Sequence, residues 1–370
     1  MDYYNFNNAG SSKTFKKSNN SIIKYLQMEE KYGGYYCTER FDYKIKKFYK
    51  NLSKLINCEE SEISFIPNTT YGYNLFINSL ENLKIGNVII FSNEYESNII
   101  CLRNKKINYR VVQIKENGDF NLDDLKRKID KKTTIVSLPH ITSYNGNESP
   151  AEKIGKIIKS INPRIFYLVD ACQSIGHLNV DIKKIKCDIL IGSGRKFLRG
   201  PRGTGFIYVN KKCLNFIKPL IMDSHNSELS KCLSIKKKNI FENFEHSPAL
   251  KIGLSESIES INKIGIKKIE RNIKEKSLYF REKLQKQKNL IFLEDKNKIT
   301  GLNTLSISNI SSKKIYTYLL KKKILTSVVQ IRDFTRILEK NKNSSALRVS
   351  FHYYNTYKQI DYLIKCISRI

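Results

Sequence analysis

The chain of 370 residues carries 66 basic and 35 acidic residues, a formal net charge of +31, with 40% hydrophobic and 11% aromatic residues and only 7 prolines. That balance excludes a disordered or collagen-like chain, and no apolar run approaches the roughly 18 residues a membrane helix needs, so a globular protein of about two domains with no membrane partner is expected. The lysines are scattered along the whole chain among Ile, Asn and Tyr, with short runs at 236–238 and 321–323, which reads as coding bias and gives no reason to expect a nucleic-acid partner.

In chain order, residues 1–18 read as an N-terminal arm; the opening "MDYYNFNNAGSSKTFKK" lacks the basic-then-apolar order of a secretory leader, so a cytoplasmic protein is expected. Residues 19–247 read as a large α/β domain. Its strand candidates are "NVIIFS" (87–92), "YRVVQI" (109–114), "TTIVSL" (133–138), "IFYLVD" (165–170), "CDILIG" (187–192) and "GFIYVN" (205–210). They are nearly continuous runs of Val and Ile, the pattern of strands buried on both faces. Helical segments lie between them. "NLDDLKRKI" (121–129) opens on a capping Asn121 with acids first and bases last, and "PAEKIGKIIKSI" (150–161) opens on a Pro suited to a first turn. The alternation predicts a mostly parallel sheet between helices.

Beyond residue 247 the pattern changes. A long helical region, 248–288, precedes two strand candidates, "TLSIS" (304–308) and "LRVSF" (347–351), interleaved with helices near 312–322 and 357–370. This predicts a connecting helix and a small α+β domain over 248–370. The eight cysteines show no CxxC pair and the five histidines no HExxH, so no metal site is expected.

Ligands of open α/β sheets gather at the carboxyl ends of the strands. One strand delivers Asp170, Cys172 and Gln173, and the next delivers Ser193, Arg195 and Lys196 within the basic, Gly-rich "GSGRKFLRGPRGTGF" (192–206). Singly, Asp170 reads equally as a helix cap and Lys196 as a surface ion pair. Jointly they suit pyridoxal phosphate (PLP): the amine forms a Schiff base, and the carboxylate keeps the pyridine nitrogen protonated so that the ring draws in electrons.

"LVDACQSIGHLNVDI" and "CDILIGSGRKFLRGPRGTGFIYV" resemble the class V aminotransferase family of fold-type I PLP enzymes. The resemblance extends from "FNNAGSS" through "GGYYCTER", "PNTTYGYN" and "NEYESN" to "FENFEHSPA" and "LRVSFHYYNTYKQIDYL". It implies the fold-type I PLP-dependent transferase fold, a homodimer and a small amino-acid substrate. Lys196 would be the Schiff-base and acid/base lysine, Asp170 the partner of the pyridine nitrogen, and Gln173 a ligand of the phenolic oxygen. Thr69, Thr70, Ser193 and Arg195 would cradle the phosphate, Tyr95 would stack on the ring, Ser143 would stand near the phenolic oxygen, and Arg348 would grip the α-carboxylate. For Tyr95 ordinary core packing, and for Arg348 a strand-edge salt bridge, are the alternatives. Arg199 and Arg202 stay open between solvent and a place facing the substrate and the partner subunit.

For the reaction, the family's cysteine desulfurases use a cysteine on the loop before the substrate arginine to take sulfur, and residues 324–348 contain none. "FENFEHSPA" and "HYYN" resemble the family's ergothioneine-pathway C–S lyases, and that resemblance implies a lyase that cleaves a C–S bond of a cysteine conjugate or its sulfoxide through an external aldimine and Cα deprotonation. An aminotransferase or epimerase is the alternative, and desulfurisation is disfavoured.

Overall fold

The computed structural model describes residues 3–80, 86–115, 118–229, 233–295, 297–330 and 345–370. Its centre is a seven-stranded sheet whose spatial order is Ile63–Ile66, Gly205–Val209, Ile189–Ser193, Phe166–Asp170, Thr133–Pro139, Asn87–Phe91 and Tyr109–Val112. The strand pairs from Ile189–Ser193 through Tyr109–Val112 are parallel, and Gly205–Val209 runs antiparallel to both of its neighbours. The continuous apolar runs are explained by burial on both faces. Tyr167 and Val169 belong to the apolar core on one side, while Phe166 and Leu168 belong to that on the other. Because side chains alternate along a strand, both sets must be apolar when helices cover both faces.

Local signals place several helix ends. Asn121 caps the helix Leu122–Lys128 by accepting from the Asp124 N–H at 3.0 Å. Pro150 stands at the cap itself, one position before the helix Ala151–Ile161. The helical region predicted over 248–288 is two helices, Pro248–Ile264 and Ile266–Leu284. Gly265 separates them at φ +91°, a backbone that side chains disfavour.

Helix Pro248–Ile264 lies against Lys16–Tyr32 and Asp42–Ile56. A second sheet orders Leu290–Phe292, Leu302–Ile307, Ser345–Ser350 and Ser327–Gln330, all antiparallel. Its apolar core takes in Phe280, Ile315, Leu319, Ile360 and Leu363 from the helices around it. Near the start of the chain, Tyr4–Asn5 pairs in parallel with Ile324–Leu325 as a separate two-stranded sheet. No helix among the described residues is long and apolar enough to cross a membrane.

Candidate active site

Parallel strands in register bring their carboxyl ends to one edge. Asp170 ends Phe166–Asp170, and Ser193 ends its neighbour Ile189–Ser193, with Lys196 three residues farther on. The lysine loop closes on itself through Gly194 N–H to Thr204 O and Gly200 N–H to Gly194 O, both at 2.8 Å. A Cβ on Gly194 would come within 2.1 Å of the Thr204 hydroxyl, so this close approach requires glycine.

These elements enclose a cavity of about 260 Å³ whose wall includes Thr69, Thr70, Tyr95, Ser143, Asp170, Gln173, Ser193, Arg195 and Lys196. Nine of the ten residues predicted from the sequence thus share one space. Arg348 is not in its wall; its guanidinium donates to the Ser143 carbonyl, while its Nε is buried without a partner among the described residues. Burial, with the nearby Arg195, brings its pKa down to about 10.

Asp170 is 6% exposed, and burial pushes its carboxyl above the ordinary range, against the Cys172 N–H, the Lys196 charge and the Asn98 amide. The Cys172 N–H lies 2.9 Å from Oδ1. Thr69 opens the helix Thr69–Asn78, and its hydroxyl lies 2.6 Å from that of Ser193, two hydroxyls and a helix N-terminus converging as an anion site requires. Gln173 donates to the Ala9 carbonyl at 3.2 Å and leaves its buried Oε1 without a partner. Tyr95 is 43% exposed, so core packing does not account for its ring. Arg195 lines the cavity, yet its guanidinium donates to the Gly10 carbonyl, which ties the arm to the site.

Arg199 resolves differently from either reading of the sequence. Its guanidinium lies over the rings of Phe15 at 3.9 Å and Tyr354 at 4.5 Å and donates to the Tyr353 hydroxyl at 2.6 Å, clamping the arm to the C-terminal region. Arg202 is exposed at the cavity wall. His140 and His177 serve packing: burial pulls His140 down to about 4 and His177 to about 3, and His177 Nε2 accepts from the Gly301 N–H at 2.8 Å. Sequence reasoning missed Asn93 and gave Cys172 no role, although both line the cavity. Cys172 was legible from its place two residues after Asp170. Cys232 and residues 331–344 of the loop before Arg348 lie outside the described residues.

The sequence profile of class V aminotransferases matches residues 3–363. A probable cysteine desulfurase of Borreliella burgdorferi is 28% identical over 394 aligned positions, covering 99% of this chain and 91% of that protein. The fold is similar to that of the apo cysteine desulfurase from Thermococcus onnurineus, with a TM-score of 0.88 and 23% identity over 99% of this chain and 94% of that one. It is equally similar to a C-DES variant solved with glycine covalently linked to its PLP cofactor, with a TM-score of 0.88 and 18% identity over 99% and 96% of the two chains.

The comparison in sequence overturns the expectation of a lyase acting on cysteine conjugates, with desulfurisation disfavoured. The relative matched over nearly the whole chain is a probable cysteine desulfurase. The physical reason is plain. Sulfur transfer requires a thiol within reach of the site, not one at a fixed place in the chain, so the lack of cysteine in 324–348 does not decide the reaction.

Proposed function

The chain belongs to the class V aminotransferase family, and we propose that it is a PLP enzyme that takes the sulfur from cysteine and leaves alanine. The observation that carries this reading is the shared cavity of Lys196, Asp170, Gln173, Thr69 and Ser193. The cavity fits the cofactor: the unpartnered Gln173 Oε1 marks a polar group still to be met, and the Thr69–Ser193 hydroxyl pair stands at a helix N-terminus. Lys196 would hold the cofactor through its amine, Asp170 would face the ring nitrogen, Gln173 and Ser143 the phenolic side, and Thr69, Thr70, Ser193 and Arg195 the phosphate. When bound, the cofactor supplies an electron-withdrawing ring that eases removal of the substrate's Cα proton.

The chain's own groups do the rest. Lys196 takes and returns the Cα proton, and Tyr95 would cover the cofactor's ring. Arg348, from the unit over 248–370, binds the α-carboxylate, with the unit over 19–247 holding the cofactor. In the net reaction the Cβ–Sγ bond of cysteine breaks, the sulfur joins a thiol as a persulfide, and Cβ gains a proton to give alanine. The enzyme works as a homodimer, supported by the exposed Tyr35 and Phe244 on one shared cavity. It works in the cytoplasm, supported by the seven described cysteines being free thiols.

The test is product analysis of the PLP-loaded protein with cysteine and a small thiol. Alanine and sulfide in equal amounts are expected, and both are lost, together with the visible absorption of the bound cofactor, in Lys196→Ala. Pyruvate in place of alanine would refute the reading.

A further inference from the structure

Asp170 does not stand alone. Its Oδ2 accepts from the side-chain amide of Asn98 at 3.5 Å, and the same amide nitrogen donates to Glu94 Oε1 at 3.0 Å. Glu94 Oε1 also takes the Tyr95 N–H at 2.8 Å, and Oε2 takes the Ser137 hydroxyl at 2.7 Å. Every one of these contacts on Glu94 is a donor, the set an ionised carboxylate requires. Glu94 is 5% exposed and Asn98 1% exposed. Asn98 Oδ1 is buried with no partner.

That idle oxygen shows what the arrangement favours. A reversed amide would aim its oxygen at two carboxylate oxygens and take one donor from each carboxylate, so Glu94 dictates which way Asn98 faces. We propose that Glu94 and Asn98 are positioning residues, Glu94 locking the Asn98 amide as a donor to Asp170 so that Asp170 stays an anion able to hold a proton on the cofactor's ring nitrogen. This rests on the PLP reading above. Burial pushes both carboxyls up, Glu94 to about 7, so neither keeps its charge in this setting without donors. The titratable groups facing the pair are Lys196 on Asp170 and the buried Tyr73 phenol on Glu94.

The readout is affinity for two ligands: PLP and its deaza analogue, in which carbon replaces the ring nitrogen. Asn98→Ala is expected to weaken PLP about tenfold, the low end for a hydrogen bond to a charged group because this one is long, and to leave the analogue's affinity unchanged. Glu94→Met keeps the length of the stem but offers no oxygen to the Asn98 amide or the Tyr95 N–H, so it removes the lock and moves PLP affinity in the same direction by a smaller factor. Equal losses for both ligands would show a merely structural role and overturn the proposal, as would no loss at all. Should Asn98→Ala not fold, Glu94→Met decides by the same comparison. Failure of the unaltered protein to bind PLP would refute the cofactor reading itself, and with it this one.

Discussion

Lys251 and Glu242 hold the segment that leads into helix Pro248–Ile264, and replacing Lys251 by Met should destabilise the fold severely. Lys251 is 1% exposed and Glu242 0% exposed. Glu242 accepts from the Lys251 amine, from the Tyr49 hydroxyl at 2.6 Å and from the Phe65 N–H at 2.7 Å. Lys251→Met keeps the length of the stem but leaves a buried carboxylate with only the Tyr49 hydroxyl and the Phe65 N–H in hydrogen-bond reach and the His225 imidazole 4.0 Å away. Removing one partner of such a pair costs about 3–5 kcal/mol. In the double variant Glu242→Gln/Lys251→Met no charge is stranded, the Gln oxygen still accepts from the Phe65 N–H, and its amide NH2 donates to the Tyr49 hydroxyl, which turns to accept, so most of the loss should be recovered.

Denaturant unfolding at neutral pH measures both variants. The pH dependence gives a second, signed readout. Burial alone would push Glu242 up, but the Lys251 charge overrides it and holds the carboxyl below its ordinary value. A depressed folded pKa means that the stabilisation is fully present above the unfolded value of about 4.3 and is lost as pH falls through the folded value. Lys251→Met should reverse this slope, gaining stability relative to the unaltered protein as its stranded carboxyl takes a proton. A loss below about 1 kcal/mol in Lys251→Met, or a double variant as unstable as the single, would refute the reasoning.

Three further outcomes are expected. Arg348→Lys should raise the KM for cysteine about 10–100-fold with kcat little changed, because an amine cannot form the paired hydrogen bonds of a guanidinium; an unchanged KM would remove Arg348 from the substrate. Cys172, half-buried in the cavity wall, should be alkylated by iodoacetamide in the cofactor-free protein and protected by PLP. Equal labelling in peptide mass spectrometry with and without PLP would separate the thiol from the cofactor site. Arg199→Ala should cost about 1–3 kcal/mol, from the lost ring contacts and hydrogen bonds, and expose the arm around Phe15 to limited proteolysis. Unchanged proteolysis would show that the arm is held elsewhere.

Much of the large sheet was legible. The runs "IFYLVD", "CDILIG" and "GFIYVN" became the strands Phe166–Asp170, Ile189–Ser193 and Gly205–Val209, because a strand buried on both faces must be apolar throughout and polar residues mark its ends. "ISFI" (63–66) escaped notice since four apolar residues carry too short a period, yet it forms the sheet edge that leads to Thr69. The break at Gly265 was hidden inside a pattern that stays helical on both sides.

By itself, the sequence determined which groups arrive at the ends of the strands: Asp170, Gln173, Ser193 and Lys196 follow apolar runs, and that order is local and covalent. Only the tertiary structure decided what those groups meet. Thr69 and Ser193 are 124 residues apart and share a hydrogen bond, Ser143 and Arg348 are 205 apart, and Asn98 joins Glu94 to an Asp170 72 residues away. Arg195 lines the cavity beside the lysine, and the fold also gives its guanidinium the Gly10 carbonyl, 185 residues away in the chain. The reason is the geometry of the sheet. Spatial order departs from chain order, so the partners of a strand-end residue are set by which strands pair, and no window of sequence contains them.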